Sequence, residues 1–166
     1  SNQWFNSTFH PARHSKNDVQ SVARMFLGEY THSLDSKGRL TIPAKFRDQL
    51  AAGLVVTRNP SDKCLLLMPM QEWSSLRERM TGLSIANRKH AQLRRKLFSA
   101  AEDLKPDRQG RILISPRLRE YAQMGAEVNI VGVDHFIELW DPQQWHEQVI
   151  SQLDSDEIDD EIFAAL

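Results

Sequence analysis

Two short stretches carry the side chains best suited to chemistry: Asp35-Ser36-Lys37-Gly38-Arg39 and Asp107-Arg108-Gln109-Gly110-Arg111. In each, a glycine permits a tight reversal with positive φ. The aspartate can accept backbone N–H groups two residues on, or pair with the arginine and hold its guanidinium in place. An arginine held this way offers a planar fork whose donors match guanine O6 and N7, or a phosphate. The plain alternative is a structural hairpin with a surface ion pair of little energetic weight. For one copy alone that alternative is the stronger reading, and the second copy shifts the balance.

Catalytic chemistry finds less support. Of the six histidines, His10 and His14 sit in the opening segment, and His32, His90, His135 and His146 have no metal-ligand spacing. Glycine-rich phosphate loops and serine nucleophile elbows are missing from the sequence. His32 alternates with Tyr30 and reads as an exposed strand residue. Cys64, in "KCLLLM", reads as a buried strand residue; as the one cysteine it allows no intrachain disulfide and fits a reducing cytosol. No metal and no cofactor are expected. A hydrolytic enzyme whose catalytic pair forms only in space stands as a rival.

The elements that must position the two turns repeat at one offset. Asp35 and Asp107 lie 72 positions apart, and the same offset matches Phe26 with Phe98, Gly38 with Gly110 and Arg39 with Arg111. It continues without a gap through Ile42 and Ile114, Arg47 and Arg119, Gly53 and Gly125, Leu67 and Leu139, and Trp73 and Trp145. The chain is therefore two copies of one unit. In each copy a strand-like segment ("MFLGEYTHSL"; "LFSAAEDLKP") leads into the turn. A short alternating strand follows ("RLTIP"; "RILIS"). A short helix then starts near Pro43 or Pro116 and stops before Gly53 or Gly125, the expected caps. A hairpin completes the unit: "LVVTR" with "CLLLM", and "VNIVGV" with "FIELW".

The segments "MQEWSSLRERMTGLS", "NRKHAQLRRKLF" and "PQQWHEQVISQL" read as helices. Trp73, Leu76, Met80 and Leu83 are candidates either for contacts between protomers or for packing on their own copy. Neither copy is long enough to bury a comfortable core alone, so their strands are expected to complete one another. The resulting division is residues 1–24 as a leader or extension, 25–84 as the first repeat and 85–96 as a linker helix. Residues 97–153 form the second repeat and 154–166 an acidic tail.

Charge is segregated. All 21 Lys and Arg lie at or before Arg119, against ten acids there, whereas Glu120 to the end holds 12 acids and no Lys or Arg. This points to a basic working surface, although the net charge of −1 alone argues against nucleic acid. No apolar run approaches the roughly 20 residues of a membrane span.

Together, Asp-Ser-Lys-Gly-Arg-Leu, the following Pro-x-x-(Phe/Leu)-Arg, "CLLLMPMQEW" and "FIELWDPQQW" resemble the MraZ family of bacterial transcriptional regulators. The similarity covers residues 25 to about 150. The resemblance implies an α+β fold of two tandem AbrB-like swapped-hairpin units forming one pseudo-twofold barrel with flanking helices. It implies ring-shaped homo-oligomers that bind double-stranded DNA at direct repeats upstream of the division and cell-wall gene cluster, usually as a repressor, in the cytoplasm and nucleoid. The DNA-binding residues would be Asp35, Lys37, Gly38, Arg39, Asp107, Arg108, Gly110 and Arg111. Lys45, Arg47, Arg117 and Arg119 would add phosphate contacts. An antitoxin-type module with a partner-binding acidic tail is the other alternative.

Overall fold

A computed structural model describes residues 25–153 and 160–166. The expected leader, residues 1–24, and the first part of the acidic tail lie outside the described residues. In chain order, β1 (Glu29–Ser33) and β2 (Arg39–Thr41) precede a 3-10 turn (Ala44–Phe46) that runs into α1 (Arg47–Leu50). The hairpin β3 (Leu54–Arg58) and β4 (Leu65–Pro69) follows, then α2 (Met70–Met80) and α3 (Arg88–Phe98). The second copy supplies β5 (Glu102–Leu104), β6 (Arg111–Leu113), α4 (Pro116–Tyr121), β7 (Glu127–Val133) and β8 (Phe136–Trp140). It ends in α5 (Pro142–Trp145), a π-helical turn (His146–Ile150) and α6 (Ser151–Leu153), with α7 (Asp160–Ala164) beyond.

Local chemistry explains most boundaries. The Asn87, Ser115 and Asp141 side chains accept backbone N–H groups at the starts of α3, α4 and α5. Pro116 and Pro142 occupy first-turn positions, where no N–H is missed. Gly53 has φ +131 and donates its N–H to the Leu50 carbonyl, closing α1 as expected. The second copy departs from that pattern: Gln123, with φ 54, takes the left-handed position after α4. Gly125 instead approaches the Asp141 carboxylate. The segment expected as a strand from Leu97 is also divided, because Leu97 and Phe98 finish α3 and only Glu102–Leu104 is extended.

The fold is α+β, with antiparallel sheets. Six strands pair in the order β1-β7-β8-β4-β3-β5, and β2 pairs with β6 as a separate ribbon. β1 and β5 are left as edges, so these hydrogen-bond ladders do not close a barrel. The pairing crosses between copies: β1 of the first lies on β7 of the second, and β5 of the second lies on β3 of the first. Register then locates the internal symmetry. Leu40 faces Ile112 in the ribbon, and Leu66 faces Glu138 where β4 meets β8. Both pairs are separated by the 72-residue offset, so each residue faces its own counterpart across an approximate twofold.

A single apolar cluster joins the copies. Leu40, Ile42, Ile112 and Ile114 belong with Leu54, Val56, Leu65, Leu67, Val128, Ile130, Ile137 and Leu139, capped by Phe46 and Leu118. Each fully buried side chain of this size contributes about 1.5–3 kcal/mol. The helical appendage packs on its own chain: Val55, Met68 and Trp73 form a second cluster with Leu76 and Phe98. The Trp73 and Phe98 rings meet edge-on at 5.2 Å. Trp73 is buried in that cluster and Met80 is buried at the end of the same helix, so the protein's own packing accounts for them without a second protomer. Phe98, aligned in sequence with Phe26, thus fills a different cluster.

Candidate nucleic-acid interface

Each turn is built from the inside by its aspartate. Asp35 Oδ1 accepts the N–H groups of Lys37 at 3.0 Å and Arg39 at 2.8 Å. Its Oδ2 accepts Arg39 Nε at 2.6 Å. Asp107 does the same with Gln109 N and Arg111 N, both at 2.9 Å, and Arg111 Nε at 2.8 Å. The backbone closes each turn twice, through Gly38 N to Asp35 O and Asp35 N to Arg39 O, and through the equivalent Gly110 and Asp107 bonds. These donors, led by the arginine's own backbone N–H, hold both carboxyls below the usual carboxylate range. Because Nε is committed to the carboxylate, the Nη groups of each guanidinium are left for another acceptor.

The turns lock into each other. Gly38 has φ +85 and Gly110 φ +74, conformations that L side chains rarely adopt. A Cβ on Gly38 would meet the Arg119 guanidinium at 3.0–3.2 Å, and one on Gly110 would meet Arg47 Nε at 2.6 Å. Each of those arginines is anchored by its own Nε, Arg47 to the Ile42 carbonyl and Arg119 to the Ile114 carbonyl, both at 3.0 Å. The glycine carbonyls in turn accept Ile114 N and Ile42 N from the opposite copy, at 3.0 and 2.8 Å. Arg47 and Arg119 are therefore half-buried struts beneath the opposite turn.

The ribbon displays the result. Leu40 and Ile112 point into the core, and Arg39, Thr41, Arg111 and Leu113 occupy the outer face. Arg39 stands opposite Leu113, and Arg111 stands opposite Thr41. The two arginines are thus diagonal neighbours, with Cα atoms about 7–8 Å apart by strand geometry. Their side chains are 32 and 28 % exposed. Lys37 and Arg108 project from the turn tips and Lys45 is exposed nearby. Arg117 is directed to the Ser99 carbonyl at 3.2 Å. His32 is half-buried, its Nδ1 2.6 Å from the Thr41 carbonyl, where the strand pattern suggested an exposed ring.

Three features escape sequence reasoning. The strut role of Arg47 and Arg119 is signalled only by their equal spacing from the glycines. Leu113, 49 % exposed beside Arg39, takes the place that Thr41 holds in the first copy. A cluster of cations around Tyr121 carries no motif. Among the described residues no group of three or more His, Cys, Asp and Glu could hold a metal ion, and no helix is long and apolar enough to cross a membrane.

Comparison with known proteins gives concordant matches. The family model described as "MraZ protein, putative antitoxin-like" matches twice, over residues 25–96 and 97–164. The chain is 47 % identical over 131 residues to the transcriptional regulator MraZ of Roseiflexus castenholzii, covering 79 % of this chain and 90 % of that one. It is 50 % identical over 121 residues to the protein of the same name from Herpetosiphon aurantiacus, covering 73 % and 84 %. For the Halothermothrix orenii protein of that name the identity is 47 % over 121 residues, covering 73 % and 84 %.

Proposed function

The chain belongs to the MraZ family, and we propose that it is a transcriptional regulator that binds double-stranded DNA sequence-specifically through the β2–β6 ribbon. The major groove admits a two-stranded ribbon, and an arginine fork reading guanine O6 and N7 discriminates by about 1–3 kcal/mol per pair. The observation that carries the reading is the outer face of that ribbon, where Arg39 and Arg111 stand diagonally with their guanidinium groups pre-oriented by Asp35 and Asp107. Pre-orientation lowers the ordering cost of binding. Lys37, Arg108 and Lys45 supply phosphate contacts. Arg47 and Arg119 act mainly by holding the turns, and Gly38 and Gly110 by shaping them.

The cross-copy register supports two AbrB-like swapped-hairpin units, residues 25–84 and 97–153, joined by a linker helix over 85–96. Two arginines per protomer bind weakly at cellular salt. Several protomers in a ring gain through effective concentration when their sites are evenly spaced, as direct repeats are. The reading therefore includes homo-oligomers acting as a repressor on direct repeats upstream of the division and cell-wall gene cluster, in the cytoplasm and nucleoid. Footprinting on DNA upstream of the protein's own gene tests it. Protected, evenly spaced repeats that vanish with Arg39→Ala are expected, and uniform protection of any duplex would overturn the reading.

A second reading draws on α7, where Ile162 and Phe163 are 65 and 81 % exposed in an acidic segment. Such a tail suits a protein partner of the antitoxin type. It predicts a partner that co-purifies through residues 154–166, and a chain that purifies alone with or without that segment tells against it.

A further inference from the structure

At the Arg58 end of β3, joined to the ribbon through α4, lies a positive flank that the recognition reading does not use. Lys63, Arg58 and Lys96 set their charges 4.5, 5.7 and 5.8 Å from the centre of one ring, that of Tyr121. The ring is fixed, since its hydroxyl donates to the Asn59 carbonyl at 2.6 Å. Arg58 is fixed as well, donating to the Lys96 carbonyl at 2.9 Å and to Ser99 Oγ at 2.7 Å. Arg117, on the helix that leaves β6, reaches the carbonyl of the same serine. Ser99 therefore couples the ribbon's own helix to the cluster. The positive surface continues along α3 through the exposed Arg88, Lys89 and Arg95, and no Asp or Glu occurs between Arg79 and Ala101.

Among the described residues none of these cations stands within ion-pair distance of a carboxylate; the ion pairs found there are those of Asp35, Asp107 and His135. Several like charges gathered here, with the Asp62 carboxylate near Tyr121 but forming no ion pair with them, repel one another, and a polyanion laid across them relieves that repulsion. The cluster is not repeated at three of its four positions: at the 72-residue offset Ile130 stands for Arg58, His135 for Lys63 and Gln49 for Tyr121, whereas Lys96 corresponds to Arg24, outside the described residues.

We infer that this flank grips the sugar–phosphate backbone on one side of the DNA site, giving each protomer a fixed direction on the duplex. The inference rests on the DNA-binding reading above. The approximate twofold makes the two orientations of the ribbon on DNA nearly equivalent, differing only in side chains such as Leu113 against Thr41. A clamp on one flank breaks that equivalence, and head-to-tail repeats of one sequence demand such a direction. The occupant is phosphate, with no base preference.

The test replaces Lys63, Arg95 and Lys96 together by Gln, which also removes the bond from Lys96 Nζ to the Pro60 carbonyl at 2.8 Å and leaves Arg58 and Tyr121 to hold the end of α3. Binding is measured against salt on the footprinted duplex and on a random duplex of equal length. Each lost phosphate contact reduces the slope of log K against log salt by about 0.9, so a reduction of about 2.7 is expected on both. The preference for the footprinted duplex should persist, and ethylation interference should mark phosphates on one side of each repeat. Unchanged slopes, or interference symmetric about the site, would overturn the inference. If the unaltered protein shows no preference between duplexes, the recognition reading fails, yet the slope on random DNA still decides the flank. Arg95→Gln alone, at an exposed position, serves if the triple variant does not fold, with a slope change of about 0.9 expected. Unchanged slopes with an altered sedimentation coefficient would reassign the flank to contact with the acidic segment of a second copy.

Discussion

Replacing Gly110 by Ala probes the interlock that presents both arginines. At φ +74 a Cβ costs about 1 kcal/mol in backbone strain. It would also lie 2.6 Å from Arg47 Nε and 2.9 Å from Arg47 Cδ, so Arg47 must withdraw. Withdrawal breaks its bond to the Ile42 carbonyl, a further loss of about 1 kcal/mol. The sum is about 2 kcal/mol. Gly38→Ala carries the same backbone cost, but its nearest neighbours, the Arg119 guanidinium atoms at 3.0–3.2 Å, need give way by only a few tenths of an ångström, and about 1–2 kcal/mol is expected. Urea denaturation at fixed protein concentration measures these differences as shifts in midpoint at constant slope. In an Arg47→Ala background the clash is gone, and Gly110→Ala should cost only about 1 kcal/mol. An equal cost in both backgrounds, or a larger loss from Gly38→Ala than from Gly110→Ala, would refute the strut role of Arg47.

Thr57 is fully buried and its hydroxyl donates to the Leu97 carbonyl, tying α3 to β3. Thr57→Val should destabilise by about 1–3 kcal/mol, read by thermal melting, because it strands that carbonyl. Burial pushes the Cys64 thiol well above its ordinary range, so a thiol reagent at pH 8 should leave the native protein unlabelled and label it in denaturant. The depressed carboxyls of Asp35 and Asp107 stabilise the turns fully at pH values above the ordinary 3.8. That contribution is lost as pH falls through the lower folded value, so carboxyl NMR titrations should place both midpoints below 3.8 and a midpoint above it would contradict the turn geometry.

Features set by neighbours along the chain are legible in the residues themselves. The carboxylate that accepts N–H groups two and four residues on, the prolines at helix starts and the alternating strands all follow from local chemistry. The repeat offset is legible too, since it needs only matching residue types at constant spacing. What the offset does not say is which copy supplies each partner. Matched spacing assigns Arg47 and Arg119 the same surroundings but leaves open whether each supports its own turn or the other. The contacts of Arg47 at Gly110 and of Arg119 at Gly38 settle that each supports the other copy's turn. Phe98 and Gly125 depart from expectation because identity at matched positions does not fix identity of role. Phe98 ends a helix where Phe26 precedes a strand, and Gln123 adopts the left-handed backbone that closes the second copy's helix in place of a glycine. The charged flank is hidden in the sequence because Arg58, Lys63, Lys96 and Tyr121 come from three separate segments.

Substituting 7-deazaguanine for single guanines of the footprinted repeat, in complexes of the unaltered protein and of Arg39→Ala, measures base recognition most directly. The substitution removes N7 and leaves the phosphates unchanged. At one guanine the unaltered protein should lose about tenfold in affinity, within the roughly 1–3 kcal/mol of a bidentate contact, while Arg39→Ala loses nothing further. Equal sensitivity of both proteins at every guanine, or none in either, would contradict Arg39 reading the major groove.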